Sequence, residues 1–405
     1  MYKKIMKTVA VVLTAALLVA CGSKAPAEGD VAVEGPVTLK VWGAQEDQQF
    51  LEERVAAFKE ENADVEWDIT LGVVGEPDAL DMVTQDVDTA ADVFAFANDQ
   101  LFDFINAGVL YEITRNKETI IAENVEGSVD AASDGDKLYG YPMTADNGYF
   151  MYYDASVFSE EDVQSLDKMM EVAAAANKKV FMDVSNGWYI ASFFLGAGGT
   201  LDVEDGKQVT DFNNETGVKV GEAIREFTSH PAFLTGDDAV LQSGMGDTIA
   251  AGVSGTWTAD NIAENLGENY RATKLPKFTV GDEQVQMASF GGYKLLGVKT
   301  STKFPVQAMM LAEFLTSEES QVKRFEARGF GPSNIKAGES EAVLANPALA
   351  ALAQQAEFAH SQKNVLGSYW GPAEAFGEEL EAKSTEDMQK MLDQMVTQIQ
   401  EAITE

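Results

Sequence analysis

Cysteine and histidine are the scarcest chemistry-bearing residues in this chain of 405 residues. The chain has one cysteine, Cys21, and two histidines, His230 and His360. One cysteine excludes a disulfide within the chain, and two distant histidines without neighbours at ligand spacing do not support a zinc site. The Gly-x-Ser-x-Gly motif of serine hydrolases is also absent. We therefore expect no metal and no cofactor.

Basic residues are also few. Lysine and arginine number 29 against 66 aspartates and glutamates, which gives a formal net charge of −37 at pH 7. So acidic a surface repels phosphate, which excludes most nucleic-acid-binding proteins and disfavours adhesion to anionic lipid. With 45% hydrophobic residues the composition is globular, and the length exceeds what one hydrophobic core usually organises. We therefore expect two lobes.

The N-terminus predicts a targeting segment followed by a spacer. Three lysines precede an apolar run over residues 9–19, and Cys21 follows it. This order is typical of a secretory signal peptide, and the residues that end at Cys21 resemble the bacterial lipobox, in which the cysteine carries lipid. We expect a signal peptide over residues 1–20 and a flexible tether over residues 21–36. The lipid at Cys21 would then hold the protein at the extracellular face of the cell membrane.

The order of apolar patterns after the tether indicates an α/β lobe. Residues 37–41 alternate as in a strand, residues 51–58 keep helical spacing, and residues 65–71 alternate again. Residues 93–97 are apolar throughout, as expected of a strand that is buried on both faces. A second series of strand and helix patterns runs from about residue 180 to 275, so we expect a second lobe of the same class.

The C-terminus carries the clearest helix pattern. Residues 384–387 give a capping signal, and apolar residues at helical spacing follow from Met388 to Ile403. Such a stripe could bind a partner, but methionine-rich stripes more often belong to a core. We expect this helix to pack on its own lobe.

Short segments along the chain are similar, in order and spacing, to those of one known family. These segments are residues 39–42, 91–99, 107–114, 137–142, 254–257 and 274–276. From Val37 to about Trp370 the chain resembles the maltose/maltodextrin-binding proteins. The resemblance implies an α/β, two-lobed periplasmic-binding-protein fold (type II), in which each lobe is discontinuous in sequence.

The resemblance also implies where the chain crosses between the lobes. The crossings fall near residues 144–146, 290–294 and 329–332, and glycines in the last two provide backbone freedom. The implied lobes are residues 37–144 with 294–331, and residues 145–293 with 332–405.

The five tryptophans fall into two classes by their sequence context. Trp67 and Trp42 belong to strand patterns, so we expect both in a core. Trp188, Trp257 and Trp370 each lie beside glycine, serine or threonine in a loop-like context. The resemblance places these three where the family stacks aromatic rings on sugars, whose C–H faces are apolar.

Further site residues come from the resemblance alone. It implies one more stacking residue, Phe96, on the opposite lobe. The polar residues that it implies at the sugar hydroxyls are Asp99, Gln100, Asp146, Asn186 and Glu46. Basic side chains that the family carries near Glu46, Gln100 and Glu374 are replaced here. Such a site suits neutral hydroxyls and should reject anionic sugars.

The implied function is that of the substrate-binding lipoprotein of an ABC sugar importer. Such a protein binds malto-oligosaccharides between its lobes and delivers them to the transmembrane subunits of a permease. We expect a monomer, with no covalent step and no nucleic-acid partner.

Three alternatives remain open from the sequence. The same fold could bind another oligosaccharide or a sugar alcohol, or report its ligand to a membrane sensor. A glycoside hydrolase needs two carboxylates flanking the scissile bond, and 66 acidic residues offer many pairs without selecting one. An adhesive lipoprotein would have no cleft and no small ligand.

Overall fold

The computed structural model describes residues 35–204 and 206–401. The predicted signal peptide, the lipid site at Cys21 and all but the last two residues of the tether lie outside this part of the chain. Within the described ranges, no helix combines the length and apolar character needed to cross a membrane.

The described chain alternates between strands and helices. The strands are β1 (Val37–Gly43), β2 (Trp67–Val73), β3 (Val93–Ala97), β4 (Ser133–Asp134), β5 (Lys137–Leu138), β6 (Tyr141–Gly148), β7 (Phe150–Asp154), β8 (Lys179–Phe181), β9 (Leu201–Glu204), β10 (Lys207–Thr210), β11 (Phe233–Leu234), β12 (Ile249–Ser254), β13 (Tyr270–Thr273), β14 (Lys277–Val280), β15 (Glu283–Gln286), β16 (Ser289–Val298) and β17 (Ala359–Ser361). The α-helices are α1 (Gln48–Glu61), α2 (Ala79–Gln85), α3 (Leu101–Asn106), α4 (Lys117–Glu123), α5 (Glu126–Ala131), α6 (Leu166–Ala175), α7 (Gly187–Gly196), α8 (Glu215–Ser229), α9 (Asp238–Gly244), α10 (Ala259–Leu266), α11 (Pro305–Leu315), α12 (Glu318–Arg328), α13 (Ile335–Gly338), α14 (Glu341–Leu344), α15 (Pro347–Gln355), α16 (Trp370–Glu381) and α17 (Met388–Glu401).

The first lobe is built on a sheet with the order β17-β16-β3-β1-β2, and β6 pairs with β16 off this path. β1 runs parallel to β2 and β3, whereas β16 returns antiparallel to β3. Every residue of β3 is buried, which confirms the prediction of a strand covered on both faces. Helices α1, α3 and α11 contribute apolar residues to the same core.

The second lobe is built on a sheet with the order β11-β8-β12-β7-β13. One face packs against α6, α7, α8, α16 and α17, and the other against α9, α10 and α15. Helix α17 buries its apolar stripe, from Met388 to Ile399, in the first of these cores. The prediction that this helix packs on its own lobe is therefore confirmed.

Three segments connect the lobes. β6 leads into β7, and β16 extends from the first sheet toward the second lobe, with an irregular register next to Gly292. The third segment follows α12, which ends at Gly329 in the left-handed conformation (φ 66°) that favours glycine. There, Ala145 N donates to Gly331 O at 2.8 Å. Ser333 beyond it still donates to Asn124 of the first lobe at 2.9 Å, and the residue limits of the lobes stay a prediction.

Trp67 and Trp42 lie against the core of the first lobe, as predicted. The Trp67 ring packs edge-on against Phe58, with their centroids 4.8 Å apart, and its indole N–H donates to Asn62 O at 2.8 Å. These contacts occupy the ring face and the polar atom of Trp67. We therefore assign Trp67 to the core and not to a binding surface.

Candidate functional site

Trp188 and Trp257 lie side by side at the edge of the second lobe. Their ring centroids are 5.9 Å apart, and both side chains are partly exposed. Trp188 belongs to the first turn of α7, which Asn186 caps by accepting a hydrogen bond from Trp188 N at 2.9 Å. Asn186 therefore positions the first tryptophan, while the turn after β12 positions the second.

Trp370 joins this surface from a distant part of the chain. It begins α16 and packs edge-on against Phe290 and Tyr369. Gly187, which precedes Trp188, lies against it, because a Cβ added there would be 3.5 Å from the Trp370 ring. The structure thus brings the three predicted tryptophans to one region, which we call the aromatic cleft (Trp188, Trp257 and Trp370).

Hydrogen bonds fix two of the three indoles. Trp188 Nε1 donates to Gln362 Oε1 at 3.0 Å, and Trp257 Nε1 donates to Asp238 Oδ2 at 2.7 Å. The other oxygen of Asp238 accepts from the Ser254 hydroxyl at 2.8 Å. Because each N–H is held by the protein, the exposed part of each ring is apolar and has a fixed orientation.

Asp99 approaches the aromatic cleft from the first lobe. It follows β3 and lies near the side chain of Gln362, the residue that also holds Trp188. Burial raises the pKa of Asp99 to about 7, and the backbone N–H of Asp99 and the nearby Gln362 side chain only partly oppose this increase. Asp99 Oδ1 is buried and has no hydrogen-bond partner in the described part of the chain. The carboxylate therefore has an acceptor position that the described residues leave unfilled.

Lys294 places a positive charge between the lobes. Its Nζ lies 3.5 Å from Glu76 Oε1, 4.9 Å from the Phe330 ring centroid and 5.7 Å from the Trp257 ring centroid. The side chains of Lys294 and Glu76 are 12% and 7% exposed, so the pair is largely removed from water. The ammonium group therefore contacts an aromatic face that the sugar hypothesis assigns to a ligand.

A second group of charges lies beside this pair. Asp47 is buried and forms ion pairs with Arg324 and, at 3.2 Å, with Arg328. Burial alone would raise the pKa of Asp47, but the charges of Arg324, Lys294 and Arg328 outweigh burial and lower it. The carboxylate therefore stays ionised and joins α12 to the turn after β1.

Phe96 does not reach the aromatic cleft. Its side chain is 0% exposed and packs against Phe94 and Phe104 in the first core, with centroid distances of 5.9 and 5.1 Å. A ring enclosed in this way has no free face, so the prediction that Phe96 stacks on a sugar is wrong for this structure.

Three polar residues implied by the resemblance also differ from expectation. Gln100 is buried and donates to the carbonyls of Glu76 and Pro77 at 2.9 and 3.0 Å, so it positions the segment that carries Glu76. Asp146 is buried and accepts from Thr256 Oγ1 and Gly331 N, both at 2.7 Å. These bonds join the first and third crossings to the turn that carries Trp257. Glu46 is exposed, and it is the neighbouring Asp47 that turns inward.

The sequence reasoning missed Gln362, Lys294 and Glu76. Lys294 did carry a signal, because it is a single charge within the otherwise apolar second half of β16. It also supplies a cation to a region in which the resemblance indicated that basic groups were lost. Gln362 lies in a short polar segment and carries no comparable signal.

The chain is similar to one protein family and to several solved structures. Residues 53–351 match the family described as "Bacterial extracellular solute-binding protein". A protein solved with acarbose is 32% identical to this chain. The match covers 91% of this chain and 100% of the other protein, with a TM-score of 0.83. The maltodextrin binding protein MalE1 from L. casei BL23, solved without ligand, is 25% identical over 91% of this chain and 100% of its own, with a TM-score of 0.75.

A third structure supports the fold alone. A cyclo/maltodextrin-binding protein complexed with maltotetraose is 20% identical over 92% of this chain and 99% of its own, with a TM-score of 0.72. No curated protein sequence matches the chain. The structural matches confirm the two-lobed periplasmic-binding-protein fold that the resemblance implied. The family match spans residues 53–351, and the match to the 32% identical relative covers 91% of this chain. The chain therefore belongs to the bacterial extracellular solute-binding proteins.

Proposed function

We propose that this protein is the substrate-binding lipoprotein of an ABC importer and that it binds malto-oligosaccharides in the aromatic cleft. The observation that carries the proposal is the pairing of Trp188 and Trp257 at 5.9 Å. Asp99 of the first lobe lies near the Gln362 that holds Trp188, and its Oδ1 has no partner among the described residues. Stacking faces together with a hydroxyl acceptor match the two surfaces of a sugar ring. The 32% identical relative solved with acarbose supports the same ligand class.

The binding step follows from the two-lobed architecture. The tryptophans contact the apolar face of the sugar from the second lobe, and Asp99 accepts hydroxyl hydrogen bonds from the first. A ligand that contacts both lobes shifts the population toward the closed form by its higher affinity for that form. The closed form would then be the one that the permease subunits bind. No covalent step is required, and the sugar would leave unchanged.

Lys294 sets a condition on this step. Because its ammonium lies against the Trp257 ring and beside Glu76, a sugar that stacks on Trp257 meets this charge. The ammonium would donate a hydrogen bond to a ring hydroxyl while it keeps Glu76 neutralised. This role adds a donor to the acceptors from the first lobe.

Titration of the protein with maltotriose, followed by tryptophan fluorescence, tests the proposal directly. We expect saturable quenching with a Kd near the micromolar range, about −8 kcal/mol. Xylo- and galacto-oligosaccharides are the matched controls. A response to one of them alone would mean that the protein is a sugar-binding protein with a different substrate. Incubation with maltotetraose, followed by product analysis, adds the enzymatic test, because shorter sugars would contradict a binding protein.

The membrane anchor is a separate part of the proposal. Lipidation at Cys21 would tether the lobes to the outer face of the membrane. Replacing Cys21 by serine is expected to release the protein into the medium while leaving maltotriose affinity unchanged. Cell fractionation measures the first effect, and a Cys21→Ser protein that stays with the membrane would refute the anchor.

Sugar binding should depend on pH through Asp99. Its pKa is about 7 in the free protein, and hydroxyl donors favour the ionised form, so binding lowers this pKa and releases a proton below pH 7. We therefore expect maltotriose affinity to fall as the pH drops below 7, by up to about tenfold per pH unit. Titrations between about pH 5 and pH 8 measure this dependence.

Two variants test whether Asp99 itself causes the pH dependence. Asp99→Asn should remove the pH dependence, because an amide does not titrate in this range. Asp103 is the matched control, since burial also raises its pKa and it lies one helical turn away. If Asp103→Asn removes the dependence and Asp99→Asn does not, the assignment to Asp99 is wrong.

A further inference from the structure

A groove of about 370 Å³ lies behind the strands that connect the lobes, and we call it the hinge groove. β16 and the end of β6 form its floor, α5 of the first lobe forms one wall, and α15 with β17 forms the other. Tyr293 and Lys294 leave β16 on opposite sides. Lys294 reaches Trp257, whereas the Tyr293 oxygen would lie 2.0 Å from a Cβ added to Gly127 of α5. The hinge groove is therefore on the opposite side of β16 from the aromatic cleft.

The buried hydroxyl of Ser289 lies at this groove and has no partner within the described ranges. Residues 289–293 of β16 all border the groove. The Phe290 ring packs against Trp370, so strand alternation turns the side chain of Ser289 to the other face of β16, which is the face of the groove. Ser289 is 1% exposed, and its Oγ has no hydrogen-bond partner among residues 35–204 and 206–401. Buried hydroxyls are almost always hydrogen-bonded, so an orphaned one at the floor of a groove indicates a missing partner.

The other lining groups define the chemistry of that partner. The Asp130 carboxylate is neutralised by Lys363 Nζ at 3.1 Å, and burial lowers the pKa of His360, which keeps its ring uncharged at neutral pH. Tyr293 and Ser361 add hydroxyls, and Leu352 adds an apolar side. Asp146 also lines the groove, and hydrogen bonds from Thr256 Oγ1 and Gly331 N hold its carboxylate. The groove therefore combines hydroxyls, a neutral imidazole and apolar carbon with carboxylates that already have partners. Its volume is at the lower end of small-molecule sites, where one sugar ring fits.

We propose that the hinge groove is a second binding site for a neutral polyhydroxylated ligand of monosaccharide size, which hydrogen-bonds Ser289 Oγ. Of the two helices that wall the groove, α5 belongs to the first lobe and α15 packs in the second, and the floor is the connection between the lobes. A rotation that narrows the aromatic cleft therefore widens the hinge groove on the other side. A ligand in the groove favours the narrowed cleft, so binding at the two sites is positively coupled.

A crystallographic soak locates the ligand independently of the proposed function. Crystals of the Trp188→Ala/Trp257→Ala protein are soaked with D-glucose in one arm and glycerol in the other. We expect glucose in the hinge groove, with a hydroxyl within hydrogen-bond distance of Ser289 Oγ. The proposal is overturned if glucose is found only in the aromatic cleft or binds nowhere. It is also overturned if glycerol occupies the hinge groove and glucose does not.

Titrations of glucose into the same protein supply the matched variants. Ser289→Ala should weaken glucose binding roughly fivefold or more, because the orphaned hydroxyl is removed. Ala145→Leu narrows the floor of the groove and serves as an independent blocking variant. Thermal melts show that each variant is folded. Unchanged glucose affinity in both folded variants would overturn the site.

A last measurement tests the coupling, and it depends on the proposed function. Saturating glucose should tighten maltotriose binding to the unmodified protein, by roughly fivefold. Competition in the aromatic cleft would instead weaken it, and no change would mean that the two sites are independent; either result overturns the coupling. A protein that binds glucose in the groove but no maltotriose at all would refute the proposed function while leaving the groove site intact.

Discussion

Replacing Trp257 by alanine is expected to weaken maltotriose binding about tenfold to a hundredfold, while the protein stays folded. The ring is partly exposed, lies 5.9 Å from Trp188, and has its N–H fixed by Asp238 at 2.7 Å. Its removal takes away a stacking face and frees the Lys294 ammonium from its aromatic partner. Isothermal titration with maltotriose measures the loss of affinity.

A conservative variant separates stacking from polar effects. Trp257→Phe keeps an aromatic face but loses the hydrogen bond to Asp238, so it should retain most of the affinity that alanine loses. Asp238→Asn keeps an acceptor for the indole and tests whether the charge itself contributes. Alanine at position 257 with unchanged affinity would remove this residue from the site and leave Trp188 and Trp370 as the stacking candidates.

The fold could be predicted from the sequence where local patterns decide the structure. The apolar run of β3 indicated a strand buried on both faces, and the methionine stripe of α17 indicated a helix packed on its own lobe. Both patterns work because they reflect burial on known faces of regular elements. The same reasoning distinguished core tryptophans from candidate site tryptophans. Trp67 alternates with apolar residues of a strand, whereas Trp188 follows a capping asparagine.

The site residues that were missed depend on contacts between distant segments. Gln362 accepts a hydrogen bond from Trp188 of the second lobe, 174 residues away, and lies near Asp99 of the first lobe, 263 residues away. Lys294 belongs to β16 and Glu76 follows β2, and these two strands are separated in the first sheet by β3 and β1. No local period encodes such pairs, because they follow from the order of strands in the sheet. The same limit explains Asp47, which turns inward while its neighbour Glu46 stays exposed.

The error at Phe96 has a different physical cause. In a strand that is buried on both faces, every side chain is apolar, so the pattern does not show which ring could reach a cleft. The resemblance supplied a stacking role for this position, but the ring lies among Phe94 and Phe104 within the first core. In the proposed site the stacking surface therefore comes from the second lobe, and the first lobe contributes polar groups.

Replacing Phe96 by alanine is therefore expected to lower the free energy of unfolding by about 3–5 kcal/mol. The side chain is 0% exposed, and its loss leaves a cavity between rings that hold β3 against α3. Chemical denaturation measures this loss. Maltotriose affinity of the folded protein should stay near that of the unmodified chain, because the ring touches no exposed surface of the cleft.

Phe96→Leu is the matched control, since it keeps an apolar side chain and leaves a smaller cavity, so its loss of stability should be smaller. Trp257→Ala and Phe96→Ala should therefore have opposite effects. Trp257→Ala should weaken sugar affinity with little change in stability, and Phe96→Ala should lower stability with little change in sugar affinity. A Phe96→Ala protein with normal stability and lost sugar binding would contradict its place in the core. It would also restore the first lobe as a source of stacking contacts.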